Sequence, residues 1–461
     1  MRTFLFFILA AACMAAQPNI VLIVSDDQGY PDLGCIGSKP LITPNLDKLA
    51  AEGVRGTSFY VTWPACTPSR GSILTGRYPQ RNGLYDMVRN DMVNFGHQYS
   101  PEEYAVSPEM ILGLDVREVT VGDMLRKVGY ATGCVGKWDM GQAKRYLPLQ
   151  RGFDFFYGHG NNGIDYYTHE RYGVPSLFRG NERTQEDKGT YVTDVFRREA
   201  LRFVQQHAGK KPFFLYLAFN APHGASSFAE GTREGKRMRG EGVQAPEKYT
   251  AMYRGKVKDE KLARYCGAVT CMDDAIGALM ESVEKAGQKN HTIFLFLSDN
   301  GGSGNGGNAP LRGSKSTMWE GGLRVPFIAR WPGKLPAGKV NDEFLSSLEL
   351  VPTLLAAAGA KAPEGVQLDG FDMLPVLRGE TKSSRREMFW QRRGDKAARF
   401  ENWKWLESEK GRGLYDLSRD LGEKHDLTKE KPEIAKQMHE RFARWRAEMD
   451  ASESRGPFRD D

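Results

Sequence analysis

The segment Cys66-Thr67-Pro68-Ser69-Arg70-Gly71, running on to Leu74-Thr75-Gly76, concentrates more potential chemistry than any other stretch of the chain. Pro68 has no backbone N–H and a fixed φ, which suits the first turn of a helix. Gly76 supplies a natural stop. Cys66 then stands at or just before a helix N-terminus, where free N–H groups and the helix dipole favour developing negative charge. Arg70 falls about one helical turn further on, within reach of a charge near Cys66. By residue type alone, the segment also fits a buried structural cysteine in a turn.

Two further segments share one shape. Leu22-Ile23-Val24-Ser25-Asp26-Asp27 followed by Gly29, and Leu295-Phe296-Leu297-Ser298-Asp299-Asn300 followed by Gly302, each read as a buried strand, a serine, two oxygen ligands and a glycine that lets the chain turn. Lys137 and His223 also fall just past apolar runs. In open α/β sheets ligands gather beyond the carboxyl ends of the strands. Four distant segments therefore deliver polar groups to one edge of one sheet. Asp26, Asp27, Asp299 and Asn300 form an all-oxygen set, which suits a hard cation, Ca²⁺ with Mg²⁺ as the alternative, rather than zinc. Asp-rich turns after strands also occur without a metal.

The elements that must position these residues follow from periodicity. Unbroken β-branched and aromatic runs at 19–24, 213–219 and 292–297 predict strands buried on both faces of a parallel sheet. Shorter strands are expected at 131–135 and 325–331. Helices are expected after Thr43-Pro44, after the cap Thr120, through Val192, Val195, Phe196, Phe203 and Val204, from Leu262 to Val283, and over 348–358. Residues 153–167 read as a Gly- and aromatic-rich loop carrying His159 and Asp165. Residues 224–254 read as a polar surface insertion near the site, a lid or substrate loop. Beyond about residue 381 the pattern changes to short antiparallel strands (388–391, 400–406, 413–417) and a terminal helix with Ile434, Met438, Phe442 and Trp445 on one face.

Composition is that of an ordinary soluble globular protein, 40% hydrophobic and 26% charged over 461 residues. The formal charge of +6 accommodates an anionic substrate, and no long basic stripe interleaved with aromatics argues for nucleic acid. Residues 1–16 read as a signal peptide: Arg2, an apolar run, then Ala15-Ala16. No later run reaches the roughly 20 apolar residues of a membrane span. The mature protein is therefore expected to be exported, periplasmic or secreted. Lipoprotein anchoring through Cys13 is the lesser alternative, because Ala10 stands where leucine is expected. Without Cys13 the count is odd (Cys35, Cys66, Cys134, Cys266, Cys271), which flags a reactive thiol rather than a disulfide framework.

C-T-P-S-R followed by L-T-G resembles the signature of the type I sulfatases. The resemblance implies an alkaline-phosphatase-like α/β fold, with a large, mostly parallel mixed sheet flanked by helices over 17–380 and a smaller α+β subdomain with a short antiparallel sheet over 381–461. It implies oxidation of Cys66 to formylglycine by a maturation enzyme, with the hydrated aldehyde as nucleophile. Its second hydroxyl lets it expel sulfate after the alcohol has left. Asp26, Asp27, Asp299 and Asn300, with the nucleophile at Cys66, stand where the family binds its cation. Lys137 and Lys315 stand where it contacts sulfate, with Arg70 adding charge. His223 stands beside the leaving oxygen. Leu414-Tyr415-Asp416-Leu417 resembles the family's C-terminal ending.

The family commonly has histidine two residues after the lysine, and here it is Asp139. That departure points to an altered leaving-group pocket, a donor recruited from His97 or His159, or weakened activity. Asp139, His159, Asp165 and Arg312 are therefore candidate substrate contacts, and Tyr166, Tyr167, Arg171, Arg392 and Arg393 are open-loop candidates for a polar sugar. The implied activity is hydrolysis of a sulfate ester, on a sulfated small molecule or carbohydrate. The alternatives are a phosphonate or phosphodiester hydrolase of the same superfamily and a non-catalytic carbohydrate-binding relative. Trypsin should release peptide 56–70. In protein from its native source its mass should fall by the thiol-to-aldehyde difference at Cys66, whereas an intact thiol would remove the implied nucleophile.

Overall fold

The computed structural model describes residues 17–227 and 242–456. Five parallel strands form the centre of a ten-stranded sheet: β1 (Asn19–Ser25), β2 (Ala131–Lys137), β3 (Phe155–His159), β4 (Phe213–Ala218) and β5 (Thr292–Ser298). Their spatial order is β5-β1-β4-β2-β3. Phe327–Arg330 joins β5 antiparallel, so the expected strand at 325–331 exists but runs against the parallel centre. Val54–Gly56 and Lys339–Asn341 extend that edge, and Leu177–Arg179 and Glu182–Arg183 close the other.

The apolar runs have no polar alternation because both faces are covered. Ile20, Leu22 and Val24 of β1 face one way, with Phe214 and Tyr216 of β4, onto helices α1 (Cys66–Thr75) and α4 (Leu350–Ala358). Val21, Ile23, Leu215 and Leu217 face the other way, onto α2 (Val192–His207) and α3 (Glu260–Lys285). All seven residues of β1, all seven of β5 and all six of β4 are buried.

Strand β3 corrects the expected loop at 153–167. Gly158 pairs with Gly136 of β2, and a Cβ on Gly158 would lie 1.8 Å from the Gly136 carbonyl oxygen. A Cβ on Gly136, itself at φ 103°, would lie 1.8 Å from the Ala218 oxygen. The glycines that made the segment look like a loop are what let three strand ends close together. Much of the expected insertion at 224–254, including residues 228–241, lies outside the described residues, as does the expected signal peptide. The described part of the insertion contains a bridge between Ala225 and Gly242 and the short helix Glu247–Thr250. No helix among the described residues is long and apolar enough to cross a membrane.

A separate four-stranded antiparallel sheet, Glu387–Arg392, Asp395–Phe400, Trp403–Ser408 and Gly411–Asp416, carries α5 (Pro432–Ala451) across it. The expected single strand at 400–406 is two strands joined at Glu401-Asn402, with Glu401 at φ 53°. Apolar residues on both hairpin arms had merged into one run. Phe389, Trp405, Phe442 and Trp445 pack ring against ring, with Phe389 and Trp445 stacked at 5.4 Å.

One buried charge cluster ties this sheet to Tyr60 and to the short helix Glu320–Leu323 of the larger part of the fold. Lys404 Nζ lies 2.9 Å from Glu320 and 3.1 Å from Glu423, with all three side chains inaccessible to solvent. Glu320 also accepts the Tyr60 hydroxyl, and its N–H donates to Glu423. Lys404→Met would leave Glu423 without its cation and Glu320 with Arg324 alone, at 3.5 Å. Removing one partner of a buried pair costs about 3–5 kcal/mol. Denaturant unfolding should show a loss of that size, largely recovered when Glu320→Gln and Glu423→Gln are added; an unchanged midpoint for Lys404→Met would disprove the joint.

Candidate active site

Cys66 is the first residue of α1, behind an extended Ala65 that offers no side-chain cap. The first-turn N–H groups are therefore left without a side-chain acceptor. Gly76 ends the helix at φ 69° in the left-handed region, as the sequence required. Every residue from Cys66 to Thr75 is buried, including Arg70. An amphipathic helix would show one wet face; this one has none because one side supports the core and the other supports charge.

The charged side chains meet at the C-terminal ends of β1, β2, β4 and β5. The Cys66 thiol lies 3.4 Å from Asp26 Oδ1 and 4.0 Å from Asp27 Oδ1. Lys315 Nζ lies 3.3 Å from the same sulfur and 2.7 Å from Asp27 Oδ1. Lys137 Nζ lies 2.6 Å from Asp26 Oδ2. Arg70 donates Nε to Asp299 Oδ2 at 2.9 Å and Nη1 to the Lys137 carbonyl at 3.2 Å, and its Nη2 lies in ion-pair range of the same Asp299 oxygen at 2.8 Å. Asn300 Nδ2 donates to Asp27 Oδ1 at 2.8 Å. His223 Nε2 stands 3.7 Å from Asp27 Oδ2, while its Nδ1 faces the Gly224 carbonyl at 2.7 Å. Thus nine residues expected from sequence come together: Asp26, Asp27, Cys66, Arg70, Lys137, His223, Asp299, Asn300 and Lys315.

The electrostatics follow from burial. Burial works against the Asp27 charge, but Lys315 and His223 outweigh it and hold the carboxyl below its usual range. Burial and the neighbouring Asp26 push Asp299 up, against Arg70. Burial and Asp26 also push the Cys66 thiol well up, so an unmodified Cys66 is a protonated thiol and a poor nucleophile. Burial and Lys315 push His223 down to about 3, with Asp27 opposing.

The donor set fits a hard divalent cation. Asp26, Asp27, Cys66 and His223 present ligand atoms within 4.8 Å of one another. Asn300 Oδ1 is buried with no hydrogen-bond partner among the described residues, an oxygen that a cation would satisfy. Asp26, Asp27 and Asn300 have the oxygen chemistry for Ca²⁺ or Mg²⁺; Asp299 is shared with Arg70 and with the Asp27 N–H at 3.2 Å.

The remaining expected residues divide. Asp139 is buried at φ 58°, accepts the Thr67 hydroxyl at 3.0 Å and lies 3.7 Å from Lys137 Nζ. His159 is the register partner of Lys137, buried, and pushed well below its ordinary pKa by burial and by Lys137. Its Nδ1 faces the Asn161 carbonyl at 2.9 Å, and its Nε2 has no hydrogen-bond partner among the described residues. Asp165 stands apart: its oxygens take the N–H groups of Tyr167 and Thr168 and the side chains of Ser227 and Gln244, which orders a loop. Arg312 lies over the Trp319 ring at 3.6 Å and donates to the Glu423 carbonyl, beside the C-terminal sheet. His97 pairs with Glu103 at 3.6 Å and meets the Tyr99 ring edge-on, outside the cluster. Tyr166 and Arg171, expected in open loops, are buried: Tyr166 donates to the His223 carbonyl and Arg171 pairs with Glu109.

Two contributors escaped the sequence reading. Ser303 donates to Asp27 Oδ2 at 2.7 Å, and Thr67 holds Asp139. Ser303 sits in a Gly/Asn loop with no periodicity; its position just after Asn300-Gly301-Gly302 was the available signal.

A mostly parallel α/β sheet with a buried, oxygen-rich and cation-flanked pocket at its strand ends defines a hydrolase for anionic esters. Residues 18–360 match the family model described as Sulfatase, and residues 314–448 the one described as N-sulphoglucosamine sulphohydrolase, C-terminal. The chain belongs to the sulfatase family, as the motif resemblance implied, and is a sulfuric ester hydrolase. It is similar to the N-acetylgalactosamine-6-sulfatase of Mus musculus, 35% identical over 393 residues, covering 81% of this chain and 68% of the relative. It is also similar to human arylsulfatase A, 35% identical over 422 residues, covering 84% and 73%. Among solved structures, Ps i-CgsB in complex with k-i-k-neocarrahexaose superposes with a TM-score of 0.80 at 32% identity over 93% of this chain and 92% of that one.

A chelator-stripped sample should unfold at a lower temperature than one with Ca²⁺. At about 100 times Kd the ion should add about 2.7 kcal/mol. Asp27→Ala should abolish the calcium-dependent shift and Asp165→Asn should keep it; an equal shift in both variants would place the ion elsewhere.

Proposed function

We propose that this protein is an exported sulfatase that removes sulfate from a carbohydrate, using formylglycine made from Cys66 and a divalent cation, Ca²⁺ or Mg²⁺. The observation that carries the reading is the placement of Cys66: first residue of a buried helix, in contact with Asp26 and Lys315 inside one charge cluster. Support for a carbohydrate substrate comes from the relatives named for N-acetylgalactosamine 6-sulfate and from the neocarrahexaose-bound neighbour. Support for export comes from the pattern of residues 1–16, and the maturation enzyme is implied by the Cys66 motif.

A sulfate ester resists attack because its own oxygens repel nucleophiles. Lys315 supplies a compact charge 3.3 Å from the Cys66 sulfur, Lys137 pairs with the Asp26 that touches the same sulfur, and Arg70 pairs with Asp299. Once these ammonium groups face sulfate rather than carboxylate, they stabilise charge that grows in the transition state. A bound cation would be held by Asp26, Asp27, Asp299 and Asn300 and would act as a Lewis acid on a sulfate oxygen. Formylglycine in its hydrated form supplies a nucleophilic hydroxyl where the thiol of Cys66 is held protonated. Ser303, on Asp27, restrains one carboxylate during that exchange of partners.

His223 is placed to give a proton to the leaving alcohol. Burial and Lys315 work against its charged form, and Asp27 works for it. A bound sulfate ester brings negative charge beside the ring, which favours the imidazolium. The acid therefore forms in the complex with substrate. Sugar alcohols leave poorly without a proton, whereas acidic phenols leave well.

Cys66→Ala should abolish turnover of both aryl and sugar sulfates while leaving thermal unfolding intact. His223→Ala should lower kcat on a sugar sulfate by about 10²–10⁴-fold, the range for lost acid catalysis, and far less on a nitrophenyl sulfate. Equal losses on both would remove His223 from proton transfer. Faster turnover of a matched phosphodiester than of the sulfate ester would move the chain to the phosphodiesterase reading.

A further inference from the structure

The turn that carries His223 is held by residues that no step above uses, and they come from the segment 163–172 after β3. The Tyr166 hydroxyl is shared between the two ends of the turn. It lies 2.7 Å from the His223 carbonyl and 3.0 Å from the Asn220 carbonyl. Asn220 also accepts the His223 N–H at 2.9 Å, so one buried hydroxyl closes the turn 220–223 from outside. The Tyr166 ring is itself fixed, buried and stacked on Tyr191 with centroids 5.2 Å apart. Burial pushes the phenol well up, so it stays a donor. Past the turn, Ser226 N–H donates to the Ile164 carbonyl and Ser227 donates to Asp165 at 2.6 Å, which locks the two segments together.

The imidazole is confined from the same segment. A Cβ on Gly163 would lie 3.1 Å from His223 Cε1 and 3.2 Å from Nδ1. The ring thus packs where Gly163 leaves no room for a side chain. Nδ1 faces the Gly224 carbonyl at 2.7 Å, and Nε2 lies 3.7 Å from Asp27 Oδ2. With the Nδ1 proton donated to Gly224, any proton given to a leaving alcohol has to come from Nε2.

We propose that Tyr166 and Gly163 are positioning residues for His223, the hydroxyl fixing the main chain of its turn and the glycine fixing the direction of its ring; the inference rests on the reading of His223 as the acid. Proton transfer requires an approach of about 2.6–3.2 Å. A misplacement of about 1 Å costs about 10²-fold. The two contacts act on different parts of His223, so each has its own variant. Tyr166→Phe removes one oxygen and keeps the stacked ring. Gly163 does not adopt the left-handed region, so Gly163→Ala acts through contact alone, pressing on the His223 ring and on Ser226 Oγ at 2.8 Å.

The test uses the matured protein with Ca²⁺ and a series of aryl sulfates from 4-nitrophenyl to unsubstituted phenyl, whose alcohols leave with decreasing ease. Tyr166→Phe, Gly163→Ala, His223→Ala and the double variants with His223→Ala are compared with wild type. In each of the first two, kcat/KM on phenyl sulfate relative to 4-nitrophenyl sulfate should fall by about fivefold or more, a part of the acid catalysis that His223→Ala removes whole. In the double variants neither change should lower the ratio further, because no imidazole is left to place. Equal losses on both sulfates, or losses that persist without His223, would show a merely structural role and overturn the assignment. An effect in one variant alone would strike out the other residue. Crystal structures of the two single variants give a readout independent of turnover: an imidazole that keeps its place beside Asp27 in both would also overturn it. If His223→Ala itself leaves the ratio unchanged, the acid reading fails and the positioning role fails with it.

Discussion

Four carboxylates, Asp26, Asp27, Asp139 and Asp299, are packed into one water-excluded pocket, and most of the architecture exists to make that tolerable. A buried ion costs several kcal/mol unless partners of the opposite charge and hydrogen bonds reach it. Arg70, Lys137 and Lys315 supply the positive charge from inside the fold, and Asn300, Ser303 and Thr67 supply the hydrogen bonds. These partners come from separate parts of the chain, so the pocket cannot form before the parallel sheet has aligned its strand ends. The ammonium groups now resting on Asp26 and Asp27 are those that a sulfate ester would claim, and a divalent cation is the natural replacement on the carboxylates. Stability of the pocket and the proposed binding of an anion therefore draw on the same charges.

Backbone geometry serves the same constraint. Asp27 and Asp139 both adopt the left-handed region, where aspartate is among the few side chains found with any frequency. Each turns the chain sharply at the end of a buried strand, and so aims a carboxylate back across the sheet. At β2 and β3 the problem is space rather than direction. Gly136 and Gly158 let carbonyl oxygens approach where any side chain would collide, which brings Lys137 and its register partner His159 to the same edge.

Much of this was readable from residues, for a physical reason. A strand buried on both faces has to be uniformly apolar, so β1, β4 and β5 announced themselves, and the polar residues after them had to lie at one sheet edge. The helix that begins at Cys66 was readable from Pro68 and Gly76. Strand β3 was not, because its glycines carry the signature of a loop while serving a close approach. Asp165, Tyr166 and Arg171 looked like open-loop residues because their partners, Gln244, His223 and Glu109, are distant in sequence. Nothing local distinguishes an arginine that meets a buried glutamate from one that meets solvent. Ser303 was hidden for the same reason.

Asp139 is where this chain departs from the commonest pattern of the family it resembles, and its surroundings show what the change does. With histidine in that place, Lys137 would have one carboxylate neighbour, Asp26. Here it has two, at 2.6 and 3.7 Å. The second adds as much as one unit of negative charge beside that ammonium. Burial offsets part of this by pushing Asp139 up to about 6, against the pull of Lys137, so its charge weakens as pH falls through that value. An imidazole is still present beside the lysine, since His159 lies across the β2–β3 pair with Nε2 free of hydrogen bonds to the described residues. With Nδ1 facing the Asn161 carbonyl, the neutral ring carries its proton there and offers Nε2 as an acceptor. It therefore does not replace a histidine that would donate to sulfate. Under the proposed mechanism, anion binding would fall to the lysines and arginine more heavily than with histidine in that place, and Asp139 faces Lys137 and Thr67.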